Sequence, residues 1–177
     1  LFVPENNITR AEAAAMIARM LKYSGEYGGE FQDVSADDWF ADDVAALTAA
    51  GIINGHSETT FAPYENIKYQ EVMKILVFAL GYATKYDTVF DNFYPSMTNQ
   101  KAMEIGLTNG LSSFNTTAPI TRGDMAIMLS NALDTHMMTT VKMIPKNGLG
   151  GGISQQDITL IDYLNGKKLN GTIPKVF

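Results

Sequence analysis

Phe2-Val-Pro-Glu-Asn-Asn-Ile8-Thr-Arg-Ala-Glu12 is written again as Phe61-Ala-Pro-Tyr-Glu-Asn-Ile67-Lys-Tyr-Gln-Glu71, and a third time as Phe114-Asn-Thr-Thr-Ala-Pro-Ile120-Thr-Arg-Gly-Asp124. The Phe-to-Ile distance is 6 in every copy (8−2, 67−61, 120−114), and an amphipathic run follows each one. Fixed spacing of this kind is the signature of a tandem array. Two copies extend upstream: Phe31-Gln-Asp33-Val34, Trp39 and Gly51-Ile-Ile-Asn-Gly55 align with Tyr86-Asp-Thr88-Val89, Tyr94 and Gly106-Leu-Thr-Asn-Gly110 at a constant offset of 55 (86−31, 94−39, 106−51). The first copy lacks this half, so the chain is expected to start in mid-repeat, as a piece of a longer polypeptide.

The runs have a helical period. Ala13, Met16, Ile17, Met20 and Leu21 recur as Val72, Ile75, Leu76, Ala79 and Leu80, and as Met125, Met128, Leu129, Ala132 and Leu133. Each set falls at i, i+3, i+4, i+7 and i+8, the stripe by which a helix buries one face. Three such stripes can bury one another, which predicts a mainly α, pseudo-threefold helical bundle with short loop lobes, in which no repeat has a sufficient core alone. Leu21, Leu80 and Leu133 should then share one core.

Thr9 with Glu12, and Thr121 with Asp124, fit the capping box, in which a hydroxyl and a carboxylate satisfy orphan N–H groups at a helix start. Lys68 stands where the second cap should be, with Asn66 available to cap an earlier start. Shorter helices are expected over about 40–50 and 97–106, each ended by a glycine suited to the left-handed position, Gly51 and Gly106. After Thr139 the pattern stops. Asn147-Gly-Leu-Gly-Gly-Gly152 reads as a Gly-rich linker, and residues 157–166 as a short β-prone tail entering a turn. The expected divisions are 1–24 for the second half of repeat one, 31–83 for repeat two, 86–138 for repeat three and 139–177 for linker and tail.

Over about residues 1–138 these motifs resemble the S-layer homology family, whose repeats read roughly Phe-x-Asp-Val, Trp, Gly-Ile-Ile-x-Gly, Phe-x-Pro and Ile-Thr-Arg-Ala-Glu. The resemblance implies a non-catalytic module that pins bacterial surface proteins to a secondary cell-wall polysaccharide, often one bearing a pyruvate ketal on N-acetylmannosamine. It also implies an extracellular place in the cell wall or S-layer, in an envelope of Gram-positive type. No cofactor is implied.

Composition agrees with a packed globule: 46% of residues are hydrophobic, and no apolar run reaches the length of a membrane-spanning helix. Cysteine is absent, which removes disulfides and thiolate chemistry. A net charge of −6 disfavours nucleic acid and anionic membrane surfaces as partners. Any anion must be met by a local cation.

Arg10 and Arg122 hold the same repeat position beside a helix start. A guanidinium next to free backbone N–H groups can take a carboxylate by paired charge-assisted bonds; the alternative is that each arginine only salt-bridges a neighbouring acid. As a ligand contact, either arginine should be replaceable by alanine with little loss of stability. Tyr69 replaces the arginine in the middle copy and Lys68 offers only a mobile charge, so glycan is expected in the Arg10 and Arg122 grooves and not at Tyr69. Trp39 and its counterpart Tyr94 offer flat faces for a pyranose. The competing reading of Trp39, favoured by its place at a helix start, is a core aromatic. Gly55 serves backbone geometry first and close ligand approach second, and Asp33 reads as a local turn or cap.

Catalytic readings find less support. His56 and His136 have no second ligand at metal spacing, and Asp37, Asp38, Asp42 and Asp43 lack the glycine and terminal glutamate of a calcium loop, so no metal site and no enzyme is indicated. Two readings remain: a glycan-binding anchor, or an assembly module in which degenerate repeats pack against other protein chains, including copies of the same surface protein.

Overall fold

The computed structural model describes residues 3–83, 92–141 and 152–166. Within them follow α1 (Arg10–Leu21), α2 (Ala41–Ala49), α3 (Tyr69–Ala79), α4 (Ser96–Glu104), α5 (Arg122–Asp134), β1 (His136–Val141), β2 (Gly152–Thr159) and α6 (Leu160–Leu164). The fold is mainly helical, and β1 and β2 pair antiparallel. Phe2, the 86–89 segment of the third repeat and most of the glycine-rich run lie outside the described residues.

The repeated segment works as a joint between copies. Ile8 N–H donates to the Ile120 carbonyl (3.2 Å), Ile120 N–H to Ile67 (2.9 Å) and Ile67 N–H back to Ile8 (3.1 Å), which closes a ring. All three isoleucines are fully buried. A ring of the opposite sense lies one step out, where the N–H of Arg10 donates to Glu65 O, of Tyr69 to Ala118 O and of Arg122 to Asn6 O. It recurs once more, with Ala11 donating to Pro63 O, Gln70 to Thr116 O and Gly123 to Pro4 O. The first N–H groups of a helix have no partner within it. Here the loop of the neighbouring copy supplies each acceptor.

Caps complete the starts, in three variants. Thr9 and Glu12 form the full box, with Glu12 N–H on the Thr9 hydroxyl (3.2 Å) and Thr9 N–H on Glu12 Oε2 (2.8 Å). Lys68 has no acceptor in its side chain, so only the reverse half forms, its N–H donating to Glu71 Oε2 (2.9 Å). The helix does not start earlier at Asn66, which lies instead in a bridge with Thr9. Thr121 accepts from Asp124 N–H (3.1 Å), but the Asp124 carboxylate is engaged by the Tyr69 hydroxyl. Gly51 and Gly106 adopt the left-handed conformation (φ 67° and 82°) after α2 and α4, as their placement predicts.

The stripes meet in one core. Ala13, Ile17 and Leu21 of α1, Val72, Ile75, Leu76 and Leu80 of or just after α3, and Met125, Met128 and Ala132 of α5 are buried together, with Leu129 and Leu133 packed against them. Phe40 of the upstream half and Phe61, which opens the repeated segment, fill the same cluster. Asp33 is no local turn: its carboxylate accepts from Phe61 N–H (2.8 Å) and Ala62 N–H (2.7 Å), tying the start of the repeat to its later loop.

The tail departs from its β-prone reading. Strand β2 ends at Thr159, whose hydroxyl caps α6 with Asp162, so residues 160–164 are helical. This segment closes on the bundle. Met138 N–H donates to Leu80 O, Leu160 N–H to Thr135 O, and Lys22 Nζ to Leu164 O (2.9 Å). The tail therefore bonds to the C-terminal ends of α3, α5 and α1, and Met137 and Leu160 are buried in the common core. The alternation that suggested a strand, Ile-x-Leu-Ile-x-Tyr-Leu, also serves a short helix whose apolar side faces an existing core.

Because the three copies share one core, Ile67→Ala should cost about 2–5 kcal/mol. It should do so in a single urea transition followed by both circular dichroism and tyrosine fluorescence. A second transition retaining helical signal would mean that the copies fold separately.

Candidate functional site

The residue after each cap points at the acid on the next helix. Arg10 Nη1 meets Glu71 Oε1 (2.8 Å), the Tyr69 hydroxyl donates to Asp124 Oδ2, and Arg122 Nη1 meets Glu12 Oε1 (3.4 Å). These pairs run in the same cyclic order as the backbone bonds donated by Arg10, Tyr69 and Arg122, and opposite to the isoleucine ring. They also exclude the expected anion cradle at the helix starts. The N–H groups of residues 10, 11 and 12, and of 122, 123 and 124, already donate to neighbouring carbonyls or cap hydroxyls.

Arg10 is the most committed of the set. Its Nε donates to Phe61 O (2.9 Å) and its Nη2 to Asn54 O (2.9 Å), and its guanidinium lies 4.9 Å over the Phe61 ring. The side chain is 4% exposed. Burial lowers its pKa from the ordinary arginine value, opposed by Glu71 and Glu65. The expectation that Arg10→Ala would leave stability nearly unchanged is therefore corrected. Removing the guanidinium takes the donor from Glu71 Oε1 and from two carbonyls.

Tyr69 solves the same problem without charge. It is buried, stacks on Phe114 at 5.3 Å and donates to Asp124. The carbonyl of Asn109, the counterpart of Asn54, is taken by Asn131 Nδ2 (2.8 Å). Burial first, and the bond to Asp124 second, push the Tyr69 phenol up to about 12.

One groove of about 200 Å³ draws on all three copies. Its wall contains Arg10 of the first, Asn54, Gly55, Glu71 and Lys74 of the second, and Tyr94 of the third. Three residues singled out from sequence, Arg10, Gly55 and Tyr94, are thus brought together. Gly55 is needed for packing, since a Cβ there would fall 2.5 Å from Ser57 O and 2.6 Å from Phe31 Cε1. His56 also lines this groove, with Nδ1 3.5 Å from Glu65 and Nε2 3.9 Å from Glu71. Burial, then the Glu71 charge, raises the Tyr94 pKa, while a Gln70 hydrogen bond and Arg10 oppose the shift.

The remaining sequence candidates lie elsewhere. Trp39 is 59% exposed, which overturns its core reading: Phe40 takes the interior place and Trp39 packs edge-on against it. Lys68 is an exposed N-cap. Arg122 pairs with Glu12 and keeps more of its side chain exposed, 35%. Glu71, His56 and Lys74 were missed by sequence reasoning. Glu71 reads as a cap, and Lys74 occupies a position held by Ala15 and Ile127 in the other copies, so repeat comparison gives no signal for it. A second concavity of about 520 Å³, between Tyr82, Glu104, Asn109, Asn131, Asp134 and His136, has an acidic and amide lining unsuited to an anion. Among the described residues no three His, Asp or Glu side chains gather as a metal would need, and no helix is long and apolar enough to cross a membrane.

Fold and groove together define a helical module built from repeats, with a polar cleft where the copies meet. The chain belongs to the S-layer homology family of bacterial cell-surface proteins, the family model for the S-layer homology domain matching residues 30–73. It is 34% identical over 146 residues to the "Surface-layer 125 kDa protein" of Lysinibacillus sphaericus, a match covering 75% of this chain and 12% of that protein. It is 32% identical over 143 residues to the "Middle cell wall protein" of Brevibacillus brevis, covering 78% of this chain and 13% of that one. An "Amylopullulanase" of Thermoanaerobacterium thermosulfurigenes matches at 38% over 86 residues, 48% of this chain and 5% of the enzyme. The chain therefore spans only a small part of these relatives. Its place is the cell wall or surface of a bacterium.

Two outcomes follow from the geometry. Arg10→Ala should lose about 3 kcal/mol or more in urea titration, as expected when one partner of a buried, hydrogen-bonded ion pair is removed; a loss below about 1 kcal/mol would contradict the ties described above. Tyr69 has a folded pKa above its unfolded value near 10, so its contribution is complete below pH about 10 and fades as pH rises toward about 12. Melting temperature measured across that window should fall more steeply for the wild type than for Tyr69→Phe.

Proposed function

We propose that this chain is the non-catalytic, wall-anchoring part of a surface protein, and that it binds an acidic secondary cell-wall polysaccharide, of the pyruvylated amino-sugar kind, in grooves between copies. The observation that carries the reading is the groove at Arg10. It needs the first copy for its guanidinium, the second for the Gly51-to-Gly55 loop and Glu71, and the third for Tyr94. A cleft made this way exists only in the assembled repeats and joins cations to an aromatic face. The cyclic joints support the further reading of a pseudo-threefold bundle, with repeats over 1–24, 31–83 and 86–138. Arg122, Glu12 and Trp39 would form a related groove, and the Tyr69 position, sealed by Phe114 and Asp124, would not.

The match to surface-layer and cell-wall proteins on one side and to a fragment of an enzyme on the other suits a portable anchor. A second reading, protein-protein assembly, draws on the exposed aromatics Trp39 (59%) and Tyr64 (71%).

Cosedimentation with cell-wall sacculi separates the two. The chain should pellet with native sacculi and stay in solution with sacculi stripped of their secondary polymer. Equal pelleting with both, or concentration-dependent self-association without any sacculi, would favour assembly and reject the anchor.

A further inference from the structure

Arg10 holds the groove together, which leaves the ligand's charge to another residue. Three of the five guanidinium N–H groups are spent on Phe61 O, Asn54 O and Glu71, and the side chain is 4% exposed. Lys74 stands one helical turn beyond Glu71 on the same wall. Its Nζ lies 5.1 Å from the centre of the Tyr94 ring and 5.5 Å from that of Phe78. Tyr94 is 36% exposed, so part of its ring remains open to a ligand. We infer that Lys74 and Tyr94 are the ligand-contacting pair of this groove: the ammonium meets an anionic substituent of the sugar, and the open part of the ring receives the pyranose face. Arg10 is then the tie that shapes the wall. This assignment rests on the glycan reading above and names the residues that carry its specificity.

The pairing is repeated in the other copy that has the aromatic. Trp39 is the counterpart of Tyr94 at the offset of 55 (94−39), and the Arg19 guanidinium lies 5.6 Å over its ring. Arg19 belongs to α1, the helix that supplies Glu12 to Arg122, as Lys74 belongs to α3, which supplies Glu71 to Arg10. In both places a cation from the helix bearing the pairing acid stands over the aromatic of the following copy. The cation comes from different helix positions, Glu71+3 and Glu12+7, so the arrangement is recovered in space and not in sequence. On α5 the corresponding positions are Ile127 and Asn131, and the helix offers no cation at either. A cation held against an aromatic face presents charge and a flat apolar surface side by side, the two features of a sugar ring that carries an acid.

Isothermal titration of the whole chain tests the assignment. The probes are the methyl glycoside of pyruvylated N-acetylmannosamine, the same glycoside without pyruvate, methyl glucuronide and inorganic phosphate. Lys74→Gln should weaken the acidic sugar that the wild type binds by about tenfold to a hundredfold, the size of one charge-assisted contact. Lys74→Arg should restore affinity to within about threefold. The anionic probes distinguish ketal, uronic acid and free phosphate as the source of charge, and the uncharged glycoside should be indifferent to the substitution. An acidic-sugar affinity within about twofold of wild type in Lys74→Gln, or an equal loss on the uncharged glycoside, overturns the role given to Lys74 and leaves the anchor reading intact. A wild type that binds none of the sugars overturns the anchor reading, and this assignment falls with it.

Discussion

Three backbone hydrogen bonds, passed head to tail from Ile8 to Ile120, to Ile67 and back to Ile8, are the constraint on which the rest of the structure depends. A helix start exposes N–H groups that nothing in the helix can satisfy, and leaving them dry inside a protein is expensive. Each copy meets this cost for its neighbour. The loop before one helix offers carbonyls to the first turn of another, so no copy completes its helix start alone. The apolar stripes then have a fixed approach, and one core results.

That joint also decides what the residue after the cap can do. With the helix start already saturated by the neighbouring loop, no free backbone N–H groups are left to join Arg10 in an anion cradle. It turns to Glu71, Asn54 O and Phe61, and becomes part of the frame. Tyr69 shows that the frame tolerates a different chemistry: a stacked ring and one hydroxyl replace a guanidinium when the acid opposite is kept and Asn131 takes the loop carbonyl. Arg122 is less buried than Arg10 and stands 3.4 Å from its acid. The three positions are equivalent in sequence and differ in what they have left for a ligand.

Much of the architecture could be read directly from the residues. The stripes named the core faces of α1, α3 and α5, and the glycines after α2 and α4 adopt the left-handed backbone their placement predicts. Other features were misread where local chemistry admits two outcomes. Asp33 can close a turn or reach across the chain, and it reaches to Phe61 and Ala62. Trp39 and Phe40 are adjacent aromatics at a helix start, and only packing decides which one enters the core. The tail segment after Thr159 has an alternation that fits a strand, yet its Leu160 finds a core to enter as a helix.

The sequence by itself determined the repeat, the helical faces, the caps and the family, because these are properties of residue order and spacing within one segment, and local propensity and periodicity act at that range. Only the tertiary structure decided that the caps interlock between copies, that Arg10 is buried and Trp39 exposed, and that Lys74 stands beside Tyr94. Those facts concern groups from different copies competing for the same donors, acceptors and interior space. Their outcome depends on geometry that exists only once the ring is closed.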